Sequence, residues 1–177
     1  MNDPLVADTI ACLKQGIALL NRLSPEQYAL THPHCFNNSV GGHMRHNLDH
    51  FTCLLAGLPA ARVDYDARTR DKLVETDPRH AAGRLDEVSR ELDALDLATL
   101  ARELAIKMDS GSELTEEQAW ARSTTRREVQ FLLSHTIHHY ALVAVMCHRL
   151  GVALEPNFGV APSTRHFQQS QETICAR

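Results

Sequence analysis

Residues 134–151, SHTIHHYALVAVMCHRLG, carry the clearest helix signal in the chain. Their apolar residues recur at helical spacing, and the pattern extends back to Thr125 and Glu128, which fit a capping box. The pattern continues to Leu150, and Gly151 suits the left-handed turn that ends many helices. We therefore predict a long last helix from about Thr125 to Leu150.

Two histidines of this helix, His135 and His139, share its apolar face. Their i, i+4 spacing stacks the imidazoles one turn apart, a separation at which both can ligate a single ion. Glu128 lies on the same face two turns earlier. It is a candidate general base, or a hydrogen-bond partner of a ligating imidazole, with the capping box as the ordinary alternative.

A second histidine-rich stretch is GGHMRHNLDHF, residues 41–51. Its helix is predicted to begin near Asn38 or Ser39 and to stop at Gly57 in a left-handed conformation. A step of about 100° per residue places His43 and His50 on one stripe, with His46 about 60° to one side. Three histidines thus line or edge the predicted inward face of this helix.

The ordinary interpretation of a single histidine on an apolar face is a core residue with a hydrogen-bond partner. Burying an imidazole without a partner costs about 1–3 kcal/mol, so four or five of them in one interior need a common explanation. A shared metal ion satisfies the inward ring nitrogens. Three neutral imidazoles leave a divalent ion with an open position that favours hydroxide or thiolate, which indicates hydrolysis or thiol activation.

Composition limits the class of protein. The chain has 177 residues, 44% hydrophobic, and we predict a single domain spanning residues 1–177. A net charge of −4, with 18 basic and 22 acidic residues, argues against a nucleic-acid partner. We expect no membrane partner and a cytoplasmic protein, because no apolar run approaches the ~20 residues needed to span a bilayer and the N-terminus lacks signal-peptide features. The five cysteines, without a C-x-x-C motif, suggest neither a disulfide framework nor a cysteine zinc site.

The rest of the chain predicts further helices. Residues 4–23 form an amphipathic pattern, 24–28 a capped turn or short helical start, and 79–95 another helix. Between 97 and 123 we favour a small β-hairpin folding around residues 109–111 over a helix-loop-helix, and we expect an irregular tail after residue 154. Four long helices with unequal connections predict an all-α four-helix bundle.

These motifs resemble a known family. The segment SHTIHHYALVAVMCHRLG is similar to the last-helix signature of the DinB-like (damage-inducible) superfamily, and SVGGHMRHNLDHF resembles its second-helix segment. Carried over by residue, the metal triad of the family falls on His46, His135 and His139. Because this chain also has His43 and His50, either of these could replace His46 as the third ligand.

The resemblance implies an antiparallel four-helix bundle with a long crossover connection, often dimeric, that binds zinc, nickel or iron. It also implies activities among relatives such as transfer of low-molecular-weight thiols, a thiol-dependent isomerisation and metal-dependent hydrolysis. For this chain we expect a small-molecule substrate, such as a thiol. Arg68 and Arg70 would suit an acidic thiol or a carboxylated substrate, although a solvated loop is their ordinary interpretation.

Three hypotheses remain open from the sequence. The first is a metal-dependent thiol transferase or hydrolase, and the second is a non-catalytic bundle that binds metal or a small ligand in a stress response. The third is a structural bundle with titrating histidines in its core. Metal content separates the third from the others, and turnover separates the first from the second.

Overall fold

A computed structural model describes residues 3–33, 35, 37–109, 111 and 113–175. Within these ranges the chain forms eight helices and a three-stranded sheet. In chain order the elements are α1 (Pro4–Leu20), α2 (Pro25–Ala29), α3 (Val40–Gly57), β1 (Arg62–Asp64), α4 (Lys72–Thr76), α5 (Pro78–Asp93), α6 (Leu97–Ala101), β2 (Glu103–Lys107), β3 (Trp120–Thr124), α7 (Thr125–Arg149) and α8 (Pro162–Cys175).

The four long helices, α1, α3, α5 and α7, enclose the apolar core. Helix α1 packs against α5 and α7, and α3 packs against the same two helices. Each begins at a residue whose side chain accepts a hydrogen bond from a backbone N–H of the first turn: Asp3, Ser39, Asp77 and Thr124. No helix in the described residues is long and apolar enough to span a membrane.

The predicted helices are confirmed with changes at their ends. Helix α1 stops at Leu20, three residues early, and α2 has a complete capping box formed by Ser24 and Gln27. The prediction of a left-handed Gly57 was wrong, because α3 continues through Gly57 and the backbone turns left-handed only at Ala61, with φ 53°. At the last helix, Gly151 does adopt positive φ, as predicted.

The capping box predicted for Thr125 and Glu128 was also wrong. The N-cap of α7 is Thr124, whose hydroxyl accepts the N–H of Arg127. Glu128 is therefore one residue beyond the position that closes a capping box. The Glu128 carboxylate therefore does not cap the helix. The residue is buried, with 2% of its surface exposed.

The small hairpin before α7 is confirmed. Strands β2 and β3 pair antiparallel, and residue 110 of the predicted turn lies outside the described residues. The sequence did not predict β1, which pairs parallel to β2 and makes the fold more than all-α. A strand of three residues has no measurable periodicity, and its partner lies about 40 residues away, so local patterns could not find it.

The tail after α7 is more ordered than predicted. Phe158 stacks on Tyr140 of α7 with ring centroids 4.8 Å apart, and Gly159, at φ 68°, lies against the α7 backbone. The expectation of an irregular tail was wrong for α8, which starts at Pro162. The fixed φ of Pro162 suits the first turn of a helix, so this proline is compatible with a helix that starts there.

Candidate metal centre

Helices α3 and α7 bring two His-x-x-x-His pairs face to face. The rings of His46 and His50 on α3 are 4.5 Å apart, as are those of His135 and His139 on α7. Across the helices, the ring centroid of His46 lies 4.9 Å from that of His135 and 4.7 Å from that of His139. The ring centroid of His50 lies 5.0 Å from that of His135. Four imidazoles from two facing helices thus form one cluster, and His43 adjoins it.

Three of these rings are close enough to share one ion. Ligating nitrogens of His46, His50 and His135 all lie within 4.8 Å of one another. The Nδ1 of His50 is 2.7 Å from the His46 carbonyl oxygen, which can only accept, so Nδ1 carries the proton and the neutral ring leaves Nε2 bare. The Nε2 of His135 is buried and has no hydrogen-bond partner among the described residues. Both nitrogens are therefore suited to a cation.

His43 and His139 are joined through their Nδ1 atoms at 2.8 Å. In a pair of neutral rings one Nδ1 must donate and the other accept. If His139 donates, its Nε2 is bare and can ligate, and His43 then holds the ring in place. If His43 donates, His139 carries its proton on Nε2 and cannot ligate. The role of His139 thus depends on a tautomer that a bound metal would select.

The cluster disfavours protonation. Burial is the main cause that lowers the pKa of His46 and His139 to about 3 and that of His135 to about 4, and the neighbouring histidines add to the effect. Burial also lowers the pKa of His43 and His50. All five rings are therefore neutral near pH 7, which is the form that ligates metals.

The Glu128 carboxylate contacts three side chains, none of them a histidine of the cluster. It accepts hydrogen bonds from the Tyr65 hydroxyl at 3.0 Å and the Ser123 hydroxyl at 2.5 Å, and Arg127 lies at 3.2 Å. The Tyr65 ring lies 5.5 Å from the ring of His50, so Glu128 reaches the histidines through Tyr65. Its catalytic role remains a prediction.

The structure places all five predicted histidines in one cluster. Helical spacing predicts the pair on α7 and leaves the third ligand open. In the structure the ring of His50 lies as close to that of His135 as the ring of His46 does, at 5.0 Å and 4.9 Å. The equal spacing of His46 and His50 was the signal that could have identified a second pair. Tyr65 was missed, because it follows a strand too short to detect and its position depends on the sheet.

The family follows from a comparison with known sequences. The model of the DinB family matches residues 14–169. The chain belongs to the DinB family. This confirms the resemblance noted in the two histidine-rich helices, and the clustered histidines fit a metal-binding member of the family.

Individual relatives are distant. A DinB-like protein from Bacillus subtilis, known from a crystal structure, superposes with a TM-score of 0.65 at 17% identity, covering 90% of this chain and all of that one. This likeness supports the fold alone. A curated protein of Rhizopus delemar named FK506-binding protein 5 is 28% identical over 109 residues, which are 62% of this chain. The match spans only 28% of that protein's length.

The lowered pKa values predict acid sensitivity of the metal-free protein. Unfolded histidines titrate near 6.5, whereas the folded chain keeps His46 neutral down to about 3. Between pH 7 and pH 5 the unfolded state therefore binds more protons, and the free energy of unfolding falls as the pH falls. We expect a lower urea midpoint at pH 5 than at pH 7.

A matched pair of variants tests the source of this dependence. His135→Leu removes one half-buried imidazole and should shrink the difference between the two midpoints. His148→Leu changes an exposed histidine of the same helix and should leave the difference unchanged. A midpoint that rises on acidification, or equal behaviour of the two variants, would contradict the assignment.

Proposed function

We propose that this DinB-family chain is a metal-dependent enzyme that activates a thiol or water for reaction with a small-molecule substrate. The observation that carries the proposal is the set of three close imidazole nitrogens from His46, His50 and His135. The proposal includes the fold, in which the four long helices form an antiparallel bundle with a long crossover connection. It also includes a low-molecular-weight thiol, or the molecule that reacts with this thiol, as the substrate. We further propose that the chain forms a homodimer.

The residues fit a divalent ion such as zinc, nickel or iron. Imidazole nitrogens suit all three metals. The buried Nε2 atom of His135 has no partner within the described ranges, and an unpaired buried polar atom costs free energy that a bound ion would recover. We propose His46, His50 and His135 as ligands. The family triad of His46, His135 and His139 is the alternative, and it shares two members with our set.

His46, His50 and His135 would hold the ion as three neutral imidazoles, and the ion would then lower the pKa of a bound water or thiol. The protein residues prepare this site. The His46 carbonyl fixes the ring of His50, and Glu128 holds the hydroxyl of Tyr65, whose ring packs beside His50. In this arrangement Tyr65 and Phe131 shield one side of the histidines from water, with the Phe131 ring 5.6 Å from that of His135.

The test begins with protein purified without an affinity tag. Elemental analysis should find a stoichiometric divalent metal. The metal-loaded protein is then assayed with a panel of thiols and electrophiles, and separately with ester and amide substrates. Turnover that disappears on chelation and returns with metal supports the enzyme, whereas bound metal without any turnover supports the non-catalytic alternative. Protein that binds no metal would refute both.

A further inference from the structure

Arg68 has a guanidinium edge that no described residue uses. Its Nη1 donates to the Tyr65 carbonyl oxygen at 2.5 Å, while its Nε is buried and finds no partner in the described part of the chain. The N–H groups of Nε and Nη2 point in the same direction, and arginine uses this edge to bind a carboxylate through two parallel hydrogen bonds. A buried cationic donor without a partner is costly, which points to a ligand for this edge.

Arg68 also borders a cleft of about 430 Å³, within the usual size range of small-molecule sites. Of its charged residues, Lys107 is already paired with Glu116 at 3.0 Å and lies 3.7 Å from Asp64. Arg70 is exposed and has no ion pair within the described ranges. The cleft is lined by Asp66, Arg68, Arg70, Lys107, Met108, Asp109, Leu114 and Ala119. Its positive charges without an ion pair in the described residues are those of Arg68 and Arg70, and the carboxylates of Asp66 and Asp109 line the same cleft.

The same arginine adjoins the histidine cluster. Its hydrogen-bond acceptor belongs to Tyr65, whose ring packs 5.5 Å from that of His50. Burial is the main cause of the lowered pKa values of His46 and His135, and the charge of Arg68 contributes to both. Arg68 thus lines the cleft and lies near enough to the candidate metal centre for its charge to act on these two histidines.

The segment that carries Arg68 is held in place before any ligand binds. The Asp64 carboxylate accepts the backbone N–H groups of Asp66 and Ala67 at 3.0 Å and 3.2 Å. The N–H of Tyr65 donates to the Lys107 carbonyl oxygen at 2.9 Å, which ties the segment to the sheet. A guanidinium on an ordered turn loses little freedom when it binds a ligand.

Arg45, on α3, is no competitor for this role. Its guanidinium already pairs with Asp49 at 2.8 Å and with Glu75 at 2.7 Å. We propose that Arg68 binds a carboxylate group of the small-molecule substrate through its Nε and Nη2 edge, and so holds the substrate between the cleft and the histidine cluster. The assignment of the ligand as substrate rests on the proposed function, whereas the carboxylate contact does not require metal.

The test is isothermal titration calorimetry of the full chain, metal-free and metal-loaded, in buffer without carboxylates. The probes are succinate and its neutral diamide, succinamide. We expect wild type to bind succinate about tenfold or more tightly than succinamide, because a charge-assisted bidentate contact contributes that much. Arg68→Gln should abolish the preference for succinate. Arg68→Lys keeps the positive charge but loses the two parallel N–H groups, so it should retain only part of the preference. Arg90→Gln, on the exposed surface of α5, is the matched control and should bind as wild type.

The metal-free titration decides the proposal, since succinate could also reach a bound metal directly. Succinate binding by Arg68→Gln at wild-type strength overturns it, and so does a wild type that fails to bind succinate or to prefer it. Metal content, measured on the same samples, is unchanged by Arg68→Gln if the contact is independent of the centre. A chain that binds succinate through Arg68 but no metal would refute the proposed function and leave this contact standing.

Discussion

Replacement of His135 by alanine is expected to reduce the bound metal from a stoichiometric amount to background. His135 belongs to both candidate ligand sets, and its buried Nε2 is not used by any other described residue. Removing one of three ligands leaves an ion with two imidazoles on a helix pair, too few for a stable site. The measurement is elemental analysis of tag-free protein after gel filtration.

The variants His50→Ala and His139→Ala decide between the two sets. If His46, His50 and His135 are the ligands, His50→Ala loses the metal as completely as His135→Ala does. His139→Ala then keeps the metal, because the hydrogen bond of His139 goes to His43, which is not a ligand in this set. The triad implied by the family resemblance predicts the opposite order for these two variants.

Controls separate loss of a ligand from loss of the fold. His148→Ala alters an exposed histidine of the same helix and should bind metal as wild type. His135→Gln keeps a polar side chain of similar size, and circular dichroism should show its helix content unchanged while metal is lost. Full metal retention by His135→Ala would contradict the proposed centre altogether.

The position of each histidine on its own helix could be predicted from the sequence. Rotation by about 100° per residue fixes which side chains share a face, so His135 and His139 were correctly paired. The choice among His43, His46 and His50 depends on how α3 is rotated against α7, and no local pattern contains that angle. The helical projection predicts His46 about 60° away from the stripe that carries His43 and His50. His46 nevertheless joins the cluster, because its ring contacts those of His135 and His139 on the facing helix.

The surroundings of the histidines could not be predicted in the same way. Tyr65 and Arg68 follow β1, whose position is set by pairing with β2 far along the chain. The spacing of Thr125 and Glu128 fits a capping box and leaves a role beside the histidines open. A shift of one residue at the helix start gives the cap to Thr124, and the Glu128 carboxylate accepts the Tyr65 hydroxyl instead. Non-local pairing and exact helix ends are the features that single-sequence patterns define least well.

Gly41→Ala is expected to destabilise the protein by about 3 kcal/mol, because the added methyl group forces the backbones of α3 and α4 apart in a tightly packed region. A Cβ at Gly41, in the first turn of α3, would lie 1.9 Å from the carbonyl oxygen of Glu75 and 2.9 Å from Cε1 of Tyr28. Helix α4 would have to move away. That movement weakens the hydrogen bond from the Tyr28 hydroxyl to the Val74 carbonyl, now 2.6 Å, and the pair between Arg45 and Glu75. Urea unfolding of the purified variant gives the free energy.

Gly83→Ala provides the matched control on α5. A Cβ there meets nothing within 4 Å, so the substitution should stabilise the helix by about 0.5–1 kcal/mol through the lower entropy of the unfolded chain. The two substitutions are chemically identical, and their opposite signs would show that contact with Glu75, rather than helix propensity, determines the cost at Gly41. A Gly41→Ala variant as stable as wild type would mean that α4 is not packed tightly against α3 at Gly41. The turn that leads from β1 to α4, which carries Arg68, would then be less firmly held beside the histidines than the contacts of α4 imply.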